Sequence, residues 1–488
     1  MRHSQWVDTL WVPTATGACA GRKRLGKMGS FVANNAAVHI KLSEVISALS
    51  YALDITEGQP KGHAARSCML GMRMAKELNL GPAESSALFY ALLLKDLGCS
   101  SNAGRMCYLF GSDDRSIKRD VKTVDWTSLS GSIGYVARNI AEHGSLIDKA
   151  KHFARVALGG SREAKALIDL RCERGAKIAR ELEFPELTAK AILSLDEHWD
   201  GHGHPDGLKG EQIPLLARIL NIAQTIEVFI REFSLAQACE MVVQRSGTWF
   251  DPELCRLFLS VKEDTAFWDS YNNGSPSDAA AAFEPQDSML HADAALLDRI
   301  AEGFSQVIDA KSPWTYRHSE GVARIAAGIA EVMDFSPDDV RYIRRAALVH
   351  DVGKLGISNL ILDKPGKLTP EEITEMRLHT LYTHQILSQV EGFKDLADLA
   401  AAHHEQLDGK GYHRGLDAAQ ISTPARILAV SDIYEALTAK RPYRQDLTDE
   451  EVSTILKKKL GWAICPVVHE ALGIYIKRSG YTPVKLAA

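Results

Sequence analysis

The sequence predicts an all-α protein built from two tandem helical domains. Three observations lead there. Apolar residues recur at helical rather than alternating spacing in nearly every segment. The two halves of the chain resemble each other. Between them, residues 269–290 are rich in Asn, Gly, Ser, Pro and Ala, the composition of a linker. At 488 residues the chain exceeds what one hydrophobic core serves, and with 45% hydrophobic and 24% charged residues it has the make-up of a folded protein.

Taken in order, residues 1–35 hold a short apolar stretch followed by Arg22-Lys23-Arg24. A signal peptide carries its charge before the apolar core, so this segment reads as a disordered leader or an over-extended start ahead of Met28. Residues 36–268 form the first domain and 291–488 the second. No apolar run reaches the roughly 18 residues of a membrane span, so no membrane partner is expected. The eight cysteines are scattered without a C-x-x-C pair, which suits a reducing compartment, the cytoplasm. A net charge of -5 excludes a general nucleic-acid-polymer binder but leaves room for a small anionic ligand.

The internal repeat is specific. His63 and Asp96 share the 33-residue spacing of His318 and Asp351. Asp200-Gly201-His202-Gly203 aligns on Asp408-Gly409-Lys410-Gly411, and the same register carries Ala217-Arg218-Ile219-Leu220 onto Ala425-Arg426-Ile427-Leu428. The first copy holds 47 more residues between these landmarks, placed around Asn102 to Ser161.

In the second copy, Ser336-Pro337-Asp338-Asp339 is a helix start, and Ile343, Ala346 and Ala347 form an apolar stripe that reaches His350, which therefore points inward. Thr369 and Glu372 have capping-box spacing. The imidazoles and carboxylates of His318, His350, Asp351, His379, His403, His404 and Asp432 are candidate metal ligands, suited to iron, manganese, zinc or nickel. Five histidines and two aspartates exceed the needs of one octahedral ion that keeps a position for water, so two divalent ions are expected, bridged by Asp351. Such a pair attracts a phosphodiester and lowers the pKa of a bound water. Lys354 is then the charge-stabilising or proton-donating group. His384, five residues after His379, is off the ligand face.

The run His350-Asp351-Val352-Gly353-Lys354, Asp363-Lys364-Pro365-Gly366-Lys367-Leu368, His379, His403-His404-Glu405, Asp408-Gly409-Lys410-Gly411-Tyr412, Arg426, Asp432 and Arg441-Pro442-Tyr443-Arg444 resembles the HD-GYP family from His318 to Arg444. The resemblance implies an HD-type helical domain, an iron or manganese centre, and hydrolysis of cyclic di-GMP to the linear dinucleotide and onward to GMP. It also implies that Tyr412 and Gly411 face the substrate and that Lys364, Arg441 and Arg444 hold it. The sequence departs from the family twice. Gly411-Tyr412-His413 replaces Gly-Tyr-Pro, and Trp314 stands where some relatives place a third-metal glutamate, which favours two ions.

In the first copy Lys95 replaces the HD histidine, Cys99 the lysine, Arg171 replaces His379, Leu195 and Asp196 the histidine pair, and Gln224 replaces Asp432; only His63 and Asp96 survive. A lysine among two remaining ligands predicts no metal cluster. His198, His202 and His204 lie on a polar, Gly-rich loop and form no second site. The first copy is thus expected to be an inactive domain that packs on the second, mediates homodimerisation or binds a nucleotide as a regulator. Two other functions fit the same residues: a phosphohydrolase for another cyclic dinucleotide or nucleotide, and a nucleotide receptor or scaffold.

Overall fold

The computed structural model describes residues 41–124, 129–141, 145–285, 293–315, 317–439 and 447–481. Among them there are helices and three isolated β-bridges but no strand. No described helix is long and apolar enough to cross a membrane. The proposed leader at 1–35 and the pair Arg441 and Arg444 lie outside the described residues.

Two compact units result, residues 39–299 with 358–360, and residues 300–357 with 361–488. The helices in chain order are α1 (Leu42–Thr56), α2 (His63–Glu77), α3 (Pro82–Leu94), α4 (Ala103–Phe110), α5 (Asp114–Val121), α6 (Leu129–Asn139), α7 (Leu146–Glu181), α8 (Glu186–Leu193), α9 (Leu215–Glu232), α10 (Leu235–Arg245), α11 (Pro252–Val261), α12 (Thr265–Asn272) and α13 (Pro276–Ala281). They continue with α14 (Ala294–Ala310), α15 (His318–Val332), α16 (Pro337–Val349), α17 (Asn359–Leu362), α18 (Pro370–Leu387), α19 (Lys394–Ala401), α20 (Thr423–Thr438), α21 (Asp449–Lys458) and α22 (Pro466–Ser479).

The chemistry of the helix starts sets these bounds. Ser336 Oγ accepts the Asp339 N–H ahead of α16, with Pro337 in the first turn. Thr369 and Glu372 close a reciprocal capping box on α18. Buried Ile343, Ala346 and Ala347 lead down α16 to His350, which is itself fully buried.

The same small devices recur in both units. Glu197 accepts the N–H groups of Asp206 (2.7 Å) and Leu208 (2.9 Å), and Glu405 accepts those of Arg414 and Leu416 (2.8 Å each). Each carboxylate thereby folds a glycine-rich loop onto the chain behind it. The bridge Ser246–Phe250 has its counterpart in Leu460–Ile464.

The extra residues of the first copy are α4, α5, α6 and the N-terminal part of α7. They pack a core of their own from Leu109, Phe110, Ile117, Val124, Tyr135, Ile140, Ala141 and Leu167. The stretch whose composition reads as a linker carries the end of α12 and all of α13. Asp264 caps α12 by accepting the Phe267 N–H, and Trp268 and Tyr271 are buried against Phe267, so an aromatic cluster overrides the polar composition around it.

Candidate metal centre

Four imidazole rings in the second unit are aimed by their Nδ1 atoms. His350, His379 and His403 place Nδ1 on the carbonyls of Ala347 (2.7 Å), Met376 (2.6 Å) and Ala400 (2.7 Å). A carbonyl only accepts, so these Nδ1 atoms carry the protons and each Nε2 keeps a bare lone pair. His318, the first residue of α15, is held instead through Nδ1 by the Glu435 carboxylate on α20.

The Nε2 atoms converge on Asp351. Its Oδ2 faces His350 at 3.3 Å and His318 at 3.6 Å, while its Oδ1 faces His403 at 3.5 Å and His379 at 3.6 Å. Asp432 adds its Oδ1 at 3.2 Å from His318 Nε2, and His404 Nδ1 lies 4.0 Å from Asp432 Oδ2. All seven side chains proposed as ligands therefore meet in overlapping groups: His318, His350 and Asp432; His350, Asp351 and His403; His379, His403 and His404.

This arrangement fits metal ions. The Nε2 atoms of His379 and His403 are 3.2 Å apart with both protons committed to carbonyls, two lone pairs that need a cation between them. Asp351 Oδ1 and His350 Nε2 are buried without a hydrogen-bond partner, which is costly unless an ion is held there. Burial above all, against the pull of Asp351, holds His379 down at about 3, the neutral form a ligand requires. Burial works against ionisation of Asp351, but His350 and Lys354 keep its carboxyl well below the usual range. His318 is the exception. Burial opposes its charge, yet Glu435 and Asp432 outweigh it and raise the ring to about 10, so an ion taken up at Nε2 would displace that proton.

Lys354 lies in the 3-10 turn Val352–Gly356 with its ammonium paired to Asp351. That turn sits tightly on α18: a Cβ on Gly353 would come 1.9 Å from the His379 carbonyl oxygen, and Gly353 N–H donates to Thr383 Oγ1 (3.0 Å). On the other side, Gly411 lets the loop approach Glu405, whose Cα would be 2.4 Å from a Cβ there. Tyr412 N–H donates to the His404 carbonyl (3.3 Å), and the Tyr412 ring centroid is 5.0 Å from that of His404 and 6.2 Å from that of His379. His413 sits beside His384, ring centroids 5.9 Å apart. The Lys364 ammonium is held by both oxygens of Glu372, at 2.7 and 2.6 Å. The side chain of Trp314 lies outside the described residues.

The first unit gathers the corresponding positions differently. His63 is held by Glu227 as His318 is by Glu435, and Arg66 donates to the second oxygen of Glu227 at 2.6 Å. Lys95 pairs with Asp96, Arg171 forks onto Asp196 (2.8 and 2.6 Å), and Leu195 and Gln224 are buried. Glu57, Asp96 and Cys99 come together in the geometry of a metal group, but Lys122 lies 3.0 Å from Glu57 and 3.8 Å from Asp96. Burial would raise the Glu57 carboxyl; Lys122 and Lys118 override it and hold it at about 2. Ammonium and guanidinium groups supply the positive charge in this unit. Sequence reasoning missed Glu57, Glu227 and Glu435, and it met Glu405 only as part of the family pattern. For Glu227 and Glu435 the signal was in the repeat itself, because Glu197 and Glu227 fall on Glu405 and Glu435 in the same register.

A family model described as "HD domain" matches residues 160–254 and 302–462. The chain belongs to the HD-GYP family. Among HD-GYP relatives, the 3'3'-cGAMP-specific phosphodiesterase 3 of Vibrio cholerae serotype O1 is 44% identical over 88% of this chain and 94% of its own length. A cyclic di-GMP phosphodiesterase of Thermotoga maritima is 40% identical over 32% of this chain and 43% of its own. A crystal structure of a cyclic GMP-AMP specific phosphodiesterase from V. cholerae superposes with a TM-score of 0.62 at 39% identity, covering 91% of this chain and all of that one.

Proposed function

We propose that this chain is a metal-dependent phosphodiesterase that opens a 3′3′-linked cyclic dinucleotide, with 3′3′-cGAMP its first substrate. The observation that carries the reading is Asp351, whose two carboxylate oxygens each face a separate pair of imidazole Nε2 atoms. One ion would be held by His318, His350, Asp351 and Asp432, and a second by Asp351, His379, His403 and His404. A nitrogen and oxygen donor set without thiolate suits iron or manganese. Two such ions supply Lewis acidity and a nucleophile at neutral pH.

The protein's own residues do the rest. A water oxygen bonds to phosphorus as the P–O3′ bond breaks. Lys354 hands a proton to the departing 3′ oxygen and is restored by the proton the water gives up, so the net reaction is addition of one water. Gly411 lets the loop come close, and Tyr412 offers its ring to a base. Lys364, Arg441 and Arg444 are assigned to substrate phosphates on the family resemblance. The first unit is read as an inactive regulatory or dimerisation copy, because lysine and arginine take up its acidic groups.

Cyclic di-GMP is the second reading, favoured by the family resemblance and by relatives named for it. The greater likeness to a cGAMP-specific relative over nearly the whole chain puts 3′3′-cGAMP first. Chromatographic product analysis of the full chain with Mn²⁺ or Fe²⁺ tests both. Linear dinucleotide from 3′3′-cGAMP at a higher kcat/KM than from cyclic di-GMP is expected. The reverse order reinstates cyclic di-GMP, and cleavage of neither overturns the phosphodiesterase.

A further inference from the structure

Helix α18 carries more than His379. Arg377, two residues before it and exposed, sets its guanidinium over the Tyr412 ring, 5.1 Å from the centroid. Tyr412 in turn lies against His404 and His379, so a single aromatic ring separates this cation from the ligand cluster. The platform beneath it is fixed by backbone: Tyr412 is tied to His404, and the loop on either side is closed onto Glu405. A guanidinium resting on a π face keeps its N–H edges for another partner.

The two described lysines near the cluster each have a carboxylate partner. Asp351 holds Lys354 and Glu372 holds Lys364, whereas among the described residues no carboxylate pairs with Arg377. The repeat sharpens the point. The register that sets Arg171 on His379 sets Asp169 on Arg377 and His204 on Tyr412, so the first copy has a carboxylate in place of the cation, paired with Lys165 at 3.5 Å. The cation is present in the copy with the full ligand set and absent from the other.

We infer that Arg377 is a substrate-binding residue that takes the phosphodiester of the cyclic dinucleotide which is not being cleaved. The inference rests on the function proposed above. A cyclic dinucleotide carries two phosphates, and only one can occupy the cluster at a time. The other lies at the rim, where Arg377 adds to the cations assigned on the family resemblance, and the planar guanidinium fork matches two phosphate oxygens. Arg377 thereby selects dianionic dinucleotides over simple phosphodiesters.

The test compares full-length wild type, Arg377→Ala and Arg377→Lys on 3′3′-cGAMP, cyclic di-GMP and bis(p-nitrophenyl) phosphate, which has a single phosphate. Arg377→Ala is expected to raise KM for the cyclic dinucleotides about tenfold or more, with kcat/KM falling about tenfold further on them than on bis(p-nitrophenyl) phosphate, and Arg377→Lys is expected to lie between. Equal losses on all substrates, or a KM for the dinucleotides within about twofold of wild type, overturn the inference. Wild type inactive on every substrate overturns the phosphodiesterase reading itself, and this one with it.

Discussion

Glu435 holds the Nδ1 edge of His318, and as a result the Nε2 of that ring faces Asp432 at 3.2 Å and Asp351 at 3.6 Å. Gly321 leaves the carboxylate its room, since a Cβ there would stand 2.9 Å from Glu435 Cγ. Carboxylates that orient a ligating histidine typically contribute 10- to 100-fold, roughly, to metal affinity. Glu435→Ala should weaken Mn²⁺ binding by about that factor, and Glu435→Gln by less, because the amide still meets the ring. Isothermal titration with Mn²⁺ reads both; equal affinity in all three proteins would remove Glu435 from the account.

Gly353 is where the Asp351 turn touches the helix of His379. A methyl group at that position would sit 1.9 Å from the His379 carbonyl oxygen and 2.6 Å from the Thr383 nitrogen. Backbone atoms cannot yield as a flexible side chain does, so Gly353→Ala should cost more than about 3 kcal/mol or push His379 off the cluster. Thermal unfolding together with metal content distinguishes the two routes, and a variant that matches wild type in both would contradict the packing described.

Lys95 tests the first unit in the same way. It is buried and paired with Asp96. Lys95→Met leaves that carboxylate short of charge, and breaking a buried pair costs about 3–5 kcal/mol. The variant should unfold at lower denaturant while the chain keeps its full metal content. Loss of metal in step with stability would mean that the first unit also contributes ligands.

His63 makes the first unit sensitive to acid. Burial, reinforced by Lys95, holds the ring at about 4 against an ordinary value of 6.5. The unfolded chain therefore takes up the proton first. The stabilisation is complete above about pH 6.5 and drains away as pH falls through 4, on the order of 2–3 kcal/mol. In His63→Gln this dependence is missing, so the stability difference between wild type and variant should shift in the variant's favour from pH 7 to pH 4. Parallel denaturation curves at both pH values would refute the assignment.

Much of the second unit could be read from the chain alone, for identifiable reasons. Ser336, Pro337 and the stripe Ile343, Ala346, Ala347 carry local information, and they place His350 at an inward-facing helix end. His318, His379 and Asp432 are far apart in sequence, and the resemblance to a known pattern, together with the repeat, brought them to one site. What escaped was tertiary. Glu435 on α20 has no local mark that separates it from a solvated glutamate until His318 is brought against it. Lys122 and Lys118 come from the inserted region around α5, which has no counterpart in the second copy. Arg377 reads as an ordinary exposed helix charge until the Tyr412 loop folds beneath it. The polar stretch after Asp269 misled for the complementary reason, since its Tyr271 packs on Phe267 and Trp268 just ahead of it and outweighs the composition around it.

The central claim is that Asp351 joins two ions, and metal content measures it directly. Anaerobically purified full-length protein, loaded with Fe²⁺ or Mn²⁺ and desalted, should hold about two ions per chain, and Asp351→Ala prepared identically should hold close to none. Wild type that retains no metal, or an Asp351→Ala protein that retains as much as wild type, would contradict the account.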